Sequence, residues 1–189
     1  MPTELANLFA IEGLDGVGKS TIVAGLAERH FTVLATPPTS FKKFRPFFEH
    51  TDLRLRFLYY LLGVYSAGKQ ARRVPSWEKV ISDRYLLTTL SAHEAMGLPV
   101  HWIDLCKPII HNIAVPTNTF LVTCDETERM RRMTRRGANS IDLSNLRINN
   151  KIHKGYIKWA ERLNHRLTLV DTTNESPTDT ISKLVRLAR

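Results

Sequence analysis

The segment Phe9-Ala10-Ile11-Glu12-Gly13-Leu14-Asp15-Gly16-Val17-Gly18-Lys19-Ser20-Thr21 constrains this chain most. Gly13, Gly18, Lys19 and Ser20 complete the pattern G-x-x-x-x-G-K-[ST], a phosphate-binding loop. Glycines let the backbone curl so that successive N–H groups point into one concavity. Lys19 then sits as a point charge over the β- and γ-phosphates of a nucleoside triphosphate, and the Ser20 hydroxyl takes a Mg²⁺ position. The whole run Gly13, Leu14, Asp15, Gly16, Val17, Gly18, Lys19, Ser20 and Thr21 is the expected ATP-binding loop.

Context supports the motif. Leu8–Ile11 before it is a short apolar run that reads as a buried strand. Ile22, Val23, Leu26 and Ala27 after it recur at helical spacing as far as Arg29. A helix starting there adds its N-terminal partial charge to the phosphate site.

The chain has 189 residues, of which 43% are hydrophobic and 24% charged, as in ordinary globular proteins. No apolar run reaches the ~20 residues of a membrane span. The first strand begins too near Met1 to leave room for a targeting segment, so a cytoplasmic protein is expected. Cys106 and Cys124, the two cysteines, have no metal-type spacing and fit a reduced compartment. The net charge of +9 admits two readings, nucleic-acid binding or the handling of polyanionic substrates. Basic residues cluster at Lys42-Lys43-Phe44-Arg45, at Arg72-Arg73 and along Arg129–Arg136 rather than in a tail, which favours small phosphorylated substrates over nucleic acid.

Strands alternate with helices from end to end. The pattern places strands at 8–12, 31–35, 79–82, 119–123 and 167–170. Asp52 N-caps a long helix with Leu55, Leu58, Tyr59, Leu62 and Tyr65 on its apolar side. Helices are expected at 85–96, 100–112 and 146–164. Asp125 caps an arginine-rich helix, and Ser176-Pro177 opens a terminal one. The loop and this alternation predict an α/β P-loop NTPase fold: a five-stranded parallel sheet with helices on both faces.

A second motif, Asp83-Arg84-Tyr85, closes the third strand, at the strand end where open α/β sheets bind ligands. An Asp there can hold Mg²⁺ and an Arg can clamp a phosphate bidentately.

The phosphate loop, Asp83-Arg84-Tyr85 and Asp125-Glu126-Thr127 followed by Arg131-Arg132 and Arg135-Arg136-Gly137 together resemble the thymidylate kinase family. The resemblance implies a single nucleoside monophosphate kinase-like domain over 1–189, with a lid at about 137–146. It also implies ATP as donor, Mg²⁺ held by Ser20 and Asp83, and phosphoryl transfer to a nucleoside monophosphate, dTMP or a related nucleotide. Asp15 would face the acceptor sugar, and Arg84 the transferring or acceptor phosphate. Gly16 stands where some members carry an arginine, so this chain resembles those that supply it from the lid. Arg131, Arg132, Arg135 and Arg136 are the candidates, with Lys19, Asp83 and Arg84 completing the catalytic set.

For the acceptor, Lys42, Lys43 or Arg45 would hold the phosphate, Tyr65 and Lys69 would read the base from the long helix, and Thr88 and Thr89 would line the pocket. His93 reads as a helix-surface residue, with the pocket as the alternative. A homodimer packed through the helix at 52–66 is implied by the same resemblance. Two other readings stay open: a deoxynucleoside kinase acting on a 5′-hydroxyl, and a nucleotide-binding regulatory or RNA-associated protein without turnover.

Overall fold

Alternation of side chains along the first strand requires a sheet covered on both faces. In β1 (Glu4–Glu12), Leu8 and Ala10 enter one apolar cluster while Phe9 and Ile11 enter another, and all four are buried. Successive side chains leave a strand on opposite faces, so each cluster marks one covered face.

The computed structural model describes residues 4–137 and 148–188. After β1 come α1 (Lys19–Ala27), β2 (Thr32–Ala35), α2 (Thr39–Lys42), α3 (Arg45–Glu49), α4 (Leu53–Ala71), β3 (Val80–Asp83), α5 (Leu86–Ala95), α6 (Val100–Leu105) and α7 (Lys107–Ile110). Then follow β4 (Val115–Thr123), α8 (Glu126–Arg136), α9 (Asn149–Leu163), β5 (Leu167–Asp171) and α10 (Pro177–Leu187). The five strands form one parallel sheet in the order β2-β3-β1-β4-β5. Phe57, Leu61 and Val64 of α4, Leu86 and Leu90 of α5, and Tyr156 and Trp159 of α9 cover one face. Ile22 and Leu26 of α1 with Ile181 and Leu184 of α10 cover the other. No helix among the described residues is long and apolar enough to cross a membrane.

The expected strands and main helices are all present, with differences that have local causes. β1 and β4 start earlier than their apolar runs, because Glu4 and Leu5 pair with Val115 and Pro116 before a register shift. Asn7 in that extension donates to the carbonyls of Pro75 (3.0 Å) and Glu78 (2.8 Å). The single helix expected at 100–112 is two, broken at Cys106; Pro108 there has no N–H to continue the ladder. Asp52 caps α4 as expected, accepting from Arg54 N (2.9 Å). Asp125 occupies the cap position of α8 without a side-chain cap bond. The expected apolar side of α4 is corrected in part: Tyr59 is buried and Tyr65 packs against the core, but Leu55 and Leu62 are exposed, and Phe57, Leu61, Val64, Ala67 and Ala71 face the core. The lid expected at 137–146 lies outside the described residues except for Gly137.

Helices α5 and α9 touch backbone to side chain at Gly155, where an added Cβ would lie 2.8 Å from Ser91 Cβ. That contact holds the middle of α9, which carries Tyr156, against α5. Gly155→Leu is expected to lower stability by ~1–3 kcal/mol through overpacking, read as a lower midpoint in chemical denaturation.

Candidate active site

A backbone that turns its N–H groups inward toward phosphate must turn its carbonyls outward, and each then needs a donor. In this loop the donors come from every surrounding element. Lys19 Nζ donates to Leu14 O (2.5 Å). Arg129 Nη1 of α8 donates to Asp15 O (2.9 Å), and Arg132 Nη1 (3.2 Å) and Thr172 Oγ1 (3.0 Å) both donate to Val17 O. Arg84 Nη1 (3.1 Å) and the Tyr156 hydroxyl (3.2 Å) donate to Gly13 O. Gly13 has φ +141°, and a Cβ there would stand 2.4 Å from Val122 O, so only glycine fits. Gly16 is closed as well: a Cβ would meet Met133 Cγ at 2.7 Å and Arg129 O at 3.0 Å. With α8 packed there, no arginine can stand at position 16.

The loop forms a ridge between two cavities. The smaller, about 470 Å³, is lined by Val17, Gly18, Thr21 and Ile22, by Arg131, Arg132 and Arg135, and by 172–177 with Thr180. The larger, about 880 Å³, is lined by Leu14, Asp15, Arg45, Glu49, Arg56, Tyr60, Arg84, Thr88, Thr89, His93, Arg136, Asn149 and Tyr156, among others.

Arg84 is held where the chain turns from β3 into α5, at φ +63°, a costly conformation for a non-glycine residue. Its guanidinium pairs with Asp15 Oδ1. Burial by itself would raise the Asp15 carboxyl, but Arg84, Lys19, Arg136 and Arg129 outweigh it and hold it below the usual carboxylate range. Lys19 is buried, with Nζ 3.9 Å from Asp15 Oδ1. Burial and the Arg84 charge push its ammonium down to about 7, against the pull of Asp15, Asp83 and Glu12. Asp83 is half-buried at the carboxyl end of β3, opposite Ile11, and Ser20 is exposed at the start of α1.

Among the arginines of α8, placement differs sharply. Arg131 is exposed, bonded to Glu128 (2.6 Å), and lines the smaller cavity with Arg135. Arg132 is spent on Val17 O, Thr172 and Glu128. Arg136 lines the larger cavity and acts on Asp15. Arg129, indistinguishable in sequence from its basic neighbours, is 1% exposed and clamps the loop.

The lining of the larger cavity differs from the set of acceptor residues expected from the sequence. Tyr65 and Lys69 do not line the larger cavity; Lys69 is exposed, with Nζ 5.7 Å from the Tyr65 ring centroid. Arg56 and Tyr60, one turn apart on α4, line it instead, and that i,i+4 spacing was the signal available in the sequence. Arg45 lines the cavity, bonded to Glu49 (2.8 Å), while Lys42 and Lys43 do not. The Thr88 hydroxyl is committed to Glu12, so its proton is not free for a ligand; Thr89 lines the wall and is buried. Glu12, fully buried, also accepts from Tyr85 N (3.0 Å) and Thr88 N (3.1 Å), fixing the start of α5 beside Arg84. His93 is not on the surface: it is 3% exposed and lines the same wall.

A phosphate loop ridged between two polar cavities, with arginines on both sides, defines a P-loop nucleotide phosphotransferase. The thymidylate kinase family model matches residues 11–183. A probable thymidylate kinase of Metallosphaera sedula is 27% identical over 169 residues, covering 85% of this chain and 83% of its own. A thymidylate kinase of a Geobacillus species is 26% identical over 186 residues, covering 88% and 89%. Among solved structures, the Candida albicans thymidylate kinase superposes with a TM-score of 0.76 at 17% identity, over 96% of this chain and 90% of that one. A deoxyadenosine kinase from M. mycoides with bound dATP gives 0.71 at 19%, over 95% and 98%; both likenesses speak to the fold. The chain belongs to the thymidylate kinase family. It is a kinase, with ATP as donor and a nucleoside monophosphate as acceptor, dTMP to dTDP being the family's reaction.

The Lys19 environment gives a pH prediction. Triphosphate beside Nζ raises its pKa above the free-protein value of about 7. Both forms are protonated below that value; above it the free protein has lost the proton and must regain it on binding. Calorimetry of ATP binding in buffers of different ionisation enthalpy should show near-zero proton uptake at pH 6, approaching one at pH 8, with affinity falling as pH rises between them.

Proposed function

We propose that the donor and acceptor nucleotides occupy opposite sides of the ridge. The donor triphosphate lies on residues 13–21 with its nucleoside in the smaller cavity, and the acceptor monophosphate lies in the larger with its phosphate toward Arg84. The observation that carries this reading is that Leu14 and Asp15 face one cavity while Val17 and Gly18 face the other. The reacting phosphorus would then sit over the loop, between the two.

Lys19 neutralises the β- and γ-phosphates, and Arg84 with Arg45 holds the acceptor phosphate in line. Asp15 keeps Arg84 oriented and faces the acceptor sugar. Arg136, on the acceptor side, is the arginine we assign to the transferring group; Arg131 and Arg135 attend the donor side. Catalysis is positioning and charge neutralisation, and no general base is needed because a phosphate monoester is largely ionised near neutrality. Ser20 and Asp83 are the groups that would hold Mg²⁺. Among the described residues no cluster of three or more His, Cys, Asp or Glu side chains could hold a metal. A site completed by waters and substrate phosphates suits this ion. When bound it neutralises charge on the β- and γ-oxygens.

A 5′-hydroxyl acceptor is disfavoured. Glu49, the acidic group on the acceptor wall besides Asp15, is bonded by Arg45 (2.8 Å) and Tyr60 (2.9 Å). Although its burial pulls the other way, those bonds hold its carboxyl below the usual range, a poor base. We also infer a cytoplasmic homodimer through the outward face of α4, where Leu55 and Leu62 are exposed; a monomer in sedimentation at micromolar concentration would exclude that assembly.

In a coupled ADP-release assay with ATP·Mg²⁺, turnover of dTMP is expected. Lys19→Ala and Arg136→Ala should each lower kcat by about 10³-fold, while Arg131→Ala stays within about 10-fold. Equal losses at Arg131 and Arg136 would overturn the assignment, and no turnover of any nucleoside monophosphate would overturn the reaction.

A further inference from the structure

A third cavity, about 190 Å³, shares no lining residue with the two beside the phosphate loop. It lies where the end of α7, the start of β4 and the end of α9 meet. Leu86, Ile110, Ile113 and Leu163 form apolar walls, and His111, Arg162 and His165 supply its polar groups. No carboxylate lines it. A space of about 150 Å³ walled by apolar side chains takes a benzene ring, so this one has room for an aromatic ring or a branched chain of similar size.

The polar groups define the head of a ligand that fits. Arg162 Nη2 donates to Asp104 Oδ1 (2.7 Å), and its guanidinium carbon lies 5.0 Å from the Trp159 ring centroid, so the fork is held in place. Lys107 Nζ is 3.4 Å from the same Asp104 oxygen. Two cations thus share one carboxylate, and the rim keeps a net positive charge. His165 adds none near neutrality: burial pushes its imidazole down to about 4, which leaves the ring one N–H and one lone pair. A multiply charged anion would lose its hydration against aliphatic walls, whereas a carboxylate on an apolar body has only its head to satisfy. A guanidinium fork takes that head bidentately.

We propose that this cavity is an effector site for a small monocarboxylate with an apolar body, its head on Arg162 and His165 and its body against Leu86, Ile113 and Leu163. Occupancy reaches the active site through three consecutive residues. Leu86 lines this cavity and Arg84 lines the larger one. Tyr85 between them is buried and donates from its hydroxyl to Ala114 O (3.0 Å), the residue between Ile113 and Val115. Gly68 makes room for that bond: a Cβ there would lie 2.7 Å from Tyr85 Oη and 3.2 Å from Ala114 N. A body packed on Leu86 and Ile113 therefore bears on both ends of the Tyr85 tether, and so on the positive-φ turn that sets Arg84. The effect on the acceptor rests on the larger cavity being the acceptor site; the binding itself does not.

The probes are benzoate and 3-methylbutanoate, with benzyl alcohol as the uncharged counterpart of benzoate, on the full chain and its Arg162→Met and Leu163→Trp variants. Calorimetry should show one carboxylate bound per chain with a Kd of about 1 mM, the tighter of the two identifying the body as aromatic or branched. Benzyl alcohol should bind at least about 10-fold more weakly, and Arg162→Met should weaken benzoate by about as much. The ring protons of His111 and His165 should shift in NMR spectra and saturate together. Leu163→Trp fills the cavity and should abolish binding. Saturating benzoate should change the Kd of dTMP by about 3-fold, and dTMP should change that of benzoate by the same factor. Absence of saturable binding, unshifted histidines, or full binding by a folded Leu163→Trp each overturns the proposal and leaves the kinase reading intact. Benzoate that displaces dTMP outright is a competitor in the larger cavity and overturns it as well. Binding that leaves dTMP affinity unchanged overturns the effector role. If Leu163→Trp fails to fold, the histidine shifts of the wild type decide. Benzoate bound here by a chain that binds no nucleoside monophosphate supports the site and overturns the acceptor reading instead.

Discussion

The outward-facing carbonyls of the phosphate loop set the terms for the rest of the structure. A loop that cradles anions with its N–H groups leaves Gly13, Leu14, Asp15 and Val17 with oxygens that water reaches poorly. Each takes a side-chain donor: Arg84 and Tyr156, Lys19, Arg129, and Arg132 with Thr172. Those donors come from the β3–α5 turn, α9, α1, α8 and the segment after β5. The loop is therefore rigid only when every neighbouring element is in place, and the order of the sheet is what puts them there. Most of these donors are cationic, so the tethers also make the cavity attract phosphate.

That dual use explains why some charges look wasteful. Arg129 is buried beside Glu126 and the loop, where a lone cation would be costly, yet its guanidinium meets Glu126 Oε1 and Oε2 at 2.6 and 2.7 Å and Asp15 O at 2.9 Å. The same packing of α8 fills the space beside Gly16 and leaves no room for an arginine at that position. Arg84 shows the complementary strategy. Its unusual backbone is held by Arg84 N donating to Ile11 O (2.9 Å) and by the Glu12 bonds to the next turn, so its guanidinium is set before any substrate arrives.

The parts of this arrangement that were legible in the sequence are those written in consecutive residues. Strand, loop and helix around Gly13–Thr21, and the Asp83-Arg84-Tyr85 turn, follow from local backbone demands and sheet topology. What was not legible depends on which side of a helix meets a distant cavity. Tyr65 with Lys69 and Tyr60 with Arg56 have equivalent spacing on α4; only the packing of Phe57 and Leu61 onto the sheet decides which pair looks inward. Arg129 and Arg131 are two positions apart in one basic run, yet one is buried and the other exposed, because the helix turns only the first toward the loop. Thr88 lines the larger cavity, but a buried carboxylate 76 residues earlier claims its proton, and nothing near it in sequence shows that. His93 read as a surface residue because nothing near it in sequence reveals Phe57 and Tyr60 closing over its ring.

The central claim is that a phosphoryl group passes directly from one cavity to the other across the loop. Stereochemistry at the transferred phosphorus tests this most directly, using ATP made chiral with sulfur and oxygen isotopes at the γ-position and a nucleoside monophosphate acceptor. Direct in-line transfer predicts inversion of configuration in the product diphosphate. Retention would contradict the account, because it requires two displacements and a phosphorylated side chain that this geometry does not provide.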